Sequence, residues 1–152
     1  MSIGVVIETT IAREPDVVYA RIADIESWPA WLIASGIVSV TRTATGPVET
    51  GERLTVEQRA AGRAGTFDAV IREVAPPTRL ALEGRDRDGV SIEIDASMAA
   101  AGAGTDLRWS IRIGLPFRYR VFESMARPEV QRAAALDIDR LRRDLESNAA
   151  GR

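Results

Sequence analysis

The segment VSIEIDASMAAAGAGTDLRWSIRI, residues 90–113, holds the pattern that decides the fold. Apolar and polar side chains alternate on both sides of a glycine-rich break at residues 101–104, with the period of two that is typical of β-strands. This alternation predicts one strand over residues 90–100 and a second over residues 105–113. Because the link between them is short, we expect the two strands to pair as an antiparallel hairpin.

The two faces of the predicted hairpin differ in character. Residues two apart share a face, so one face carries aliphatic side chains together with Met98 and Trp109. The other face carries carboxylates such as Glu93 on the first strand and Arg108 and Arg112 on the second. Opposite charges on neighbouring strands indicate a solvent-exposed ladder of ion pairs. This arrangement removes most of the sheet's carboxylates from the candidate catalytic groups.

Upstream of the hairpin, turn-forming glycine and proline residues separate five further segments that we predict to be strands. They cover residues 3–11, 37–42, 52–59, 65–75 and 78–85. Short links make the last six strands of the chain an antiparallel meander. Two short helices are expected after the first strand, one starting near Glu14-Pro15-Asp16 and one over about residues 25–33.

The strand over residues 65–75 does not show a single inner face. Phe67, Ala69 and Ile71 share one phase, which Val70 and Val74 contradict. A β-bulge, which shifts the phase by one residue, or burial of both faces would explain such a pattern. The sequence leaves these two alternatives open.

The last 38 residues change from a period of two to helical spacing, which predicts one long amphipathic helix. Its apolar stripe consists of Val130, Ala134, Ile138, Leu141 and Leu145. Pro128 is expected to begin or kink this helix, with residues 117–126 as a separate helical turn before it. The arginines of the helix are interpreted as a solvated face, paired with Asp137, Asp139 and Asp144.

Composition excludes several kinds of chemistry. The chain has 152 residues, the size of one domain, and its 20 basic residues are all arginine, with no histidine or cysteine. Thiolate nucleophiles, disulfides, histidine bases, the usual zinc ligands and Schiff-base lysines are therefore excluded. The net charge of −2 provides no positive field for nucleic acid. We expect a cytoplasmic protein without a metal, cofactor, targeting segment or transmembrane segment.

Four short motifs, in their order along the chain, carry a resemblance to a known family. They are Pro15-Asp16-Val17-Val18-Tyr19, Ala23-Asp24, Trp28-Pro29-Ala30-Trp31 and Pro76-Pro77-Thr78-Arg79-Leu80. Over essentially its whole length, the chain resembles the START-related polyketide cyclase/dehydrase-like superfamily, also called SRPBCC or helix-grip proteins. The resemblance implies an α+β fold in which a curved seven-stranded antiparallel sheet wraps around a long C-terminal helix. A single ligand-binding domain is expected over residues 1–147, followed by a short tail at 148–152.

The resemblance also implies an apolar cavity between the sheet and the C-terminal helix, and strand phase and helical position select the residues that would line it. These candidate ligand-binding residues are Trp28, Trp31, Gln58, Phe67, Met98, Trp109, Phe122 and Met125. For the aromatic and methionine side chains the alternative role is core packing, and for Gln58 it is an internal hydrogen bond.

Non-catalytic binding or transport of a small hydrophobic molecule, such as a lipid, polyketide or aromatic compound, is the function we expect from these observations. An enzyme would need an acid, a base or an electrophile in the cavity, and no residue has the right phase for that work. We therefore assign no catalytic residue. The alternatives are a cofactor-independent polyketide cyclase/aromatase or dehydrase and, second, a protein-interaction module.

Overall fold

The elements follow one another in the predicted order of one strand, two short helices, six strands and a long helix. The computed structural model describes residues 2–60 and 62–150, with the side chains of residues 2–60 and 62–148. The strands are β1 (Ser2–Ile11), β2 (Ile37–Arg42), β3 (Arg53–Ala60), β4 (Arg63–Ala75), β5 (Arg79–Arg85), β6 (Ser91–Ala101) and β7 (Gly104–Gly114). The helices are α1 (Pro15–Ala23), the 3₁₀ helix η1 (Ile25–Ala30), the 3₁₀ helix η2 (Phe117–Phe122) and α2 (Glu123–Ala150).

The seven described strands form one antiparallel sheet in the order β1-β7-β6-β5-β4-β3-β2. Strands β2 to β7 form the predicted meander, and β1 closes it by pairing with β7, with Ile3 opposite Ile113 and Ile11 opposite Thr105. On the inner face, α1 packs on β5, β6 and β7, while η1 packs on β2 and α2 packs along β1. The sheet and the long terminal helix confirm the predicted α+β architecture.

A β-bulge resolves the phase of β4. The pairing of β4 with β5 shifts between Ile71 and Glu73. Before the shift, Phe67 and Ile71 are buried, and after it Val74 packs against the core. The bulge therefore lets Val74 turn inward as well as Phe67 and Ile71, as the first of the two sequence interpretations requires. Val70 precedes the shift, keeps the opposite phase and is only half-buried.

The outer face of the sheet carries the predicted ladder of charges. Glu93 lies opposite Arg112, with 3.8 Å between Oε2 and Nη1, and Arg79 contacts Asp95 at 2.5 Å. These side chains are partly or largely exposed, so each pair contributes little to stability in water. The prediction that the sheet's carboxylates point outward is confirmed for these strands.

The terminal helix begins earlier than predicted. α2 starts at Glu123, so Pro128 lies inside the helix and does not begin it, and only residues 117–122 form the separate turn. Ala134, Ile138, Leu141 and Leu145 are buried as predicted. α2 also continues through residues 148–150, where a tail was expected, while residues 151–152 lie outside the described part. Among the described helices, none has both the length and the apolar character that crossing a membrane requires.

Candidate functional site

Three buried tryptophans meet at the centre of the molecule. Trp28 lies in η1, Trp31 directly follows it, and Trp109 projects from the middle of β7 onto the inner face. Their ring centroids are 6.2 Å (Trp28 to Trp31), 5.8 Å (Trp28 to Trp109) and 5.3 Å (Trp31 to Trp109) apart, all in edge-to-face geometry. Edge-to-face pairs of this kind are each worth about 0.5–1.5 kcal/mol beyond the area they bury. The cluster therefore joins η1 firmly to the sheet.

The three indoles differ in hydrogen bonding. Trp28 Nε1 donates to the backbone oxygen of Ile22 at 2.8 Å, which ties η1 to α1. Trp31 Nε1 and Trp109 Nε1 are buried and have no acceptor within the described residues. A buried donor without an acceptor costs about 1–3 kcal/mol. Two such donors in one cluster are therefore a specific feature that packing alone does not explain.

The space beside the cluster is narrow and apolar. Its walls are Ile22, Trp28, Leu80, Leu82, Ile94, Ala96 and Trp109. About 150 Å³ there is free of atoms, but within the described residues no part of it is wide enough for a water molecule. The resemblance implies an open cavity between the sheet and the C-terminal helix. The narrow space found here lies instead between the sheet and the segment formed by α1 and η1, and none of its wall residues belongs to α2.

Most of the residues that line this space could not be identified from the sequence. Alternation places Ile94 and Ala96 on the inner face, but it does not say which of the inward residues surround the tryptophans. The register decides this, because Ala96 lies directly opposite Trp109 in the pairing of β6 with β7. The small side chain of Ala96 leaves room for the indole.

Trp31 packs against the other two tryptophans but does not itself line the space. The other predicted ligand-binding residues on the sheet do not line it either. Phe67 on β4 and Met98 on β6 are buried in the same core. Gln58 is half-buried, and its Nε2 donates to the backbone oxygen of Ser35 at 2.8 Å. That bond is the internal role considered for Gln58 as an alternative to ligand binding.

Phe122 and Met125 do not join the tryptophans, so the expectation that they converge on the interior is wrong. Both side chains are exposed, on the outer side of the junction between η2 and α2. Phe122 precedes the first residue of α2, so the helical spacing of the stripe does not apply to it. Met125 lies five residues before Val130, which turns it about 140° away from the apolar stripe.

Asp137 holds the segment that carries Trp31. Although it was interpreted as part of a solvated face, Asp137 is fully buried. Its Oδ1 and Oδ2 accept the backbone N–H groups of Ala34 and Ser35, each at 2.8 Å, and Arg140 Nη1 donates to Oδ1 at 3.0 Å. The sequence did contain a signal for this burial, since Asp137 lies three residues after Ala134 and four before Leu141, within the apolar stripe.

A close backbone contact fixes the same segment on its other side. Gly36 has a φ of +78°, and a Cβ added there would lie 2.0 Å from the backbone oxygen of Arg59. The backbone N–H of Arg59 in turn donates to Gly36 O at 2.8 Å. With the contacts of Asp137 and Gln58, this approach anchors residues 31–36 to both α2 and β3.

The turn between β5 and β6 contains a second buried carboxylate. Asp86 Oδ1 accepts the backbone N–H groups of Asp88 and Val90 at 2.9 Å, and Arg63 Nη2 donates to Oδ2 at 2.5 Å. Burial by itself would raise the pKa of Asp86. The hydrogen bonds from Arg63 and Val90 and the attraction of the guanidinium outweigh it, so the pKa of Asp86 is held below its ordinary value.

No group of three metal-ligating side chains occurs within residues 2–60 and 62–150. A wider depression of about 470 Å³ lies along β1, β6 and β7, and its lining includes the predicted residue Met98 together with outward-facing polar residues. Its polar groups are already engaged with one another, since Thr10 donates to Asp106 at 2.8 Å and Arg108 lies 3.9 Å from Glu8. The tryptophan cluster, with its two unpaired donors, is therefore the stronger candidate site.

Comparison with known proteins adds a family to this geometry. Residues 2–146 match the sequence profile of a family described as polyketide cyclase / dehydrase and lipid transport. No curated protein matches the chain significantly.

Solved structures with a similar fold come from several bacteria. The Zhui aromatase/cyclase from Streptomyces sp. R1128 superposes with a TM-score of 0.77 at 15% identity, covering 98% of this chain and 96% of its own. The protein TTHA0849 from Thermus thermophilus gives 0.76 at 16% identity, with 95% and 98% covered. A START superfamily protein from Mycobacterium smegmatis gives 0.66 at 16% identity, with 95% of both chains covered. At these identities the likeness is one of fold.

Proposed function

Since this chain belongs to the polyketide cyclase / dehydrase and lipid transport family, we propose that it binds a small hydrophobic molecule between the sheet and η1 and releases it unchanged. The unpaired N–H of Trp109, in the wall of an otherwise apolar space, carries this proposal. A ligand with one carbonyl, ether or hydroxyl oxygen would supply the missing acceptor. The ligand expected here is therefore mostly apolar with a single polar oxygen.

The composition of the wall supports binding over catalysis. All seven lining residues are aliphatic or tryptophan, so no side chain in the wall titrates or carries a charge. Ring closure or dehydration requires a group that moves a proton or polarises a carbonyl, and an indole N–H does so only weakly.

Binding requires the walls to move, because the space is too narrow for water in its present form. The tryptophans are the side chains whose displacement opens most volume. A bound ligand then replaces indole contacts with its own, and it stabilises the folded protein by mass action.

Native mass spectrometry of freshly purified protein tests the proposal directly, since a retained ligand adds its mass to that of the chain. A matched pair of probes, 2-acetylnaphthalene and 2-ethylnaphthalene, then tests the role of Trp109 by thermal shift. We expect the ketone to bind about two- to tenfold more tightly than the hydrocarbon, the range of one net hydrogen bond.

Two variants isolate the unpaired donor. Trp109→Phe should remove the preference for the ketone, whereas Trp28→Phe, which removes a donor already bonded to Ile22, should retain it. The proposal fails if a broad apolar library raises no melting temperature and no ligand is retained, and the protein-interaction alternative then leads. Recovery of a cyclised or dehydrated product after incubation with a poly-ketone would instead establish the cyclase alternative.

A further inference from the structure

Four large apolar side chains point into solvent from one short stretch at the start of the terminal helix. Phe117 is 78% exposed, Val121 72%, Phe122 54% and Met125 71%. All four lie within nine consecutive residues, 117–125, and each is more than half exposed. We call these four residues the apolar ridge.

The opposite side of the same stretch is held in place. Leu115, Tyr119, Ala126 and Val130 are partly buried and pack against the core. Arg118 Nη2 also donates to the backbone oxygen of Asp88 at 2.5 Å, which ties η2 to the turn between β5 and β6. The ridge is therefore presented on an anchored element.

The stretch of chain that carries the apolar ridge is positively charged. Residues 115–128 contain Arg118, Arg120 and Arg127 but only one carboxylate, Glu123, in a chain whose net charge is −2. Arg127 lies 3.6 Å from Glu123 and is balanced by it. Arg118 and Arg120 form no ion pair within the described residues, and each guanidinium lies 4.9 Å from an aromatic ring centre, that of Tyr119 and Phe117 respectively.

The positive charge of Arg118 and Arg120 decides between two possible partners of the apolar ridge, a second copy of the chain and a lipid surface. In a symmetric contact with a second copy, the ridges would meet near a two-fold axis and bring Arg118 and Arg120 of both copies together, which is unfavourable. An anionic lipid surface offers an apolar layer for the ridge and negative headgroups for the two arginines. Its chemistry complements both features of the stretch.

We propose that η2 and the first turn of α2 form a docking surface for anionic lipid bilayers, in which the apolar ridge enters the boundary of the acyl chains and Arg118 and Arg120 contact headgroup phosphates. The surface is separate from the tryptophan cluster, so this proposal does not depend on the interior ligand.

Flotation of the purified chain with lipid vesicles tests the proposal. Vesicles of phosphatidylcholine with roughly 30% phosphatidylglycerol should bind the protein, and should do so less as salt is raised, while pure phosphatidylcholine should bind it far more weakly. The double variant Phe117→Ser with Phe122→Ser should weaken binding roughly tenfold or more. Arg120→Gln, which leaves the bond from Arg118 to Asp88 in place, should weaken binding to the anionic vesicles roughly fivefold.

Matched variants elsewhere on the surface serve as controls. Ile33→Ser with Val38→Ser removes two other exposed apolar side chains, and Arg53→Gln with Arg59→Gln removes two exposed arginines of β3. Both controls should bind as the unaltered protein does. The proposal is overturned if anionic vesicles do not bind the protein, or if the ridge variant binds them as well as the controls do. A dimer seen by light scattering that the ridge variant abolishes, without vesicle binding, would overturn it in favour of a second copy.

Discussion

The carboxylate of Asp137 in the middle of α2 accepts the backbone N–H of Ser35 at 2.8 Å, across 102 positions of the chain. Together with its bond to Ala34, this contact joins the terminal helix to the segment behind Trp31. The position of one wall of the tryptophan cluster is thus set by a polar contact at its edge.

Asp137→Asn should lower the free energy of unfolding by about 2–4 kcal/mol, because the amide presents a donor where two backbone N–H groups need acceptors. Urea unfolding at neutral pH measures the difference. Asp139→Asn is the matched control, since Asp139 lies on the same helix but pairs with Arg142 and Arg143 near the surface. It should change stability little. Equal stability of the two variants would show that Asp137 does not hold the segment.

Trp109→Ala should lower the free energy of unfolding by about 3–5 kcal/mol, because Trp109 is fully buried against two other indoles. This is the range for losing a packed aromatic core residue. The void should accept free indole, so added indole should raise the melting temperature of this variant and not that of the unaltered chain. If the loss is far below this range, Trp109 borders an open cavity and is not packed core.

Leu141→Asp should cause loss of folded protein, because an unpaired carboxylate would be buried where α2 packs on the sheet, at a cost of several kcal/mol. Leu136→Asp on the same helix places the same charge at a half-exposed site and should remain within about 0.5 kcal/mol of the unaltered chain. Circular dichroism and thermal melting compare the two. A Leu141→Asp variant with an unchanged melting temperature would mean that α2 does not pack on the sheet as described.

Asp86→Asn should destabilise the protein in a pH-dependent way. The asparagine still accepts from Asp88 and Val90 through its oxygen but loses the charged bond to Arg63, so we expect a loss of about 1–3 kcal/mol near neutral pH.

The sign of the pH dependence follows from the lowered pKa. The ionised Asp86 contributes stability in full above its ordinary pKa of 3.8, and this contribution disappears as the pH falls through the lower pKa of the folded state. The difference in free energy of unfolding between the unaltered chain and Asp86→Asn should therefore decrease as the pH falls below that value. Urea unfolding over a series of pH values measures this difference. A difference that stays constant or increases would contradict the lowered pKa of Asp86.

The sequence by itself determined the elements and their order. Alternation over residues 90–113 and the stripe from Val130 to Leu145 are local patterns, and each depends only on which side chains share a face of a strand or helix. The same reasoning identified the conflict within residues 65–75, which the bulge between Ile71 and Glu73 resolves for Val74. Where two phases disagree inside one strand, the sequence shows that an irregularity exists but not where it lies.

Only the tertiary structure decided which inward residues meet. Trp28, Trp31 and Trp109 are each predicted as candidates, but strand register and the position of η1 bring these three together and place only Trp28 and Trp109 in the wall. Asp137 and Met125 were misplaced for a related reason. Whether a polar side chain is buried, or an apolar one exposed, depends on what the rest of the chain places against it, and helical spacing contains no information about that partner.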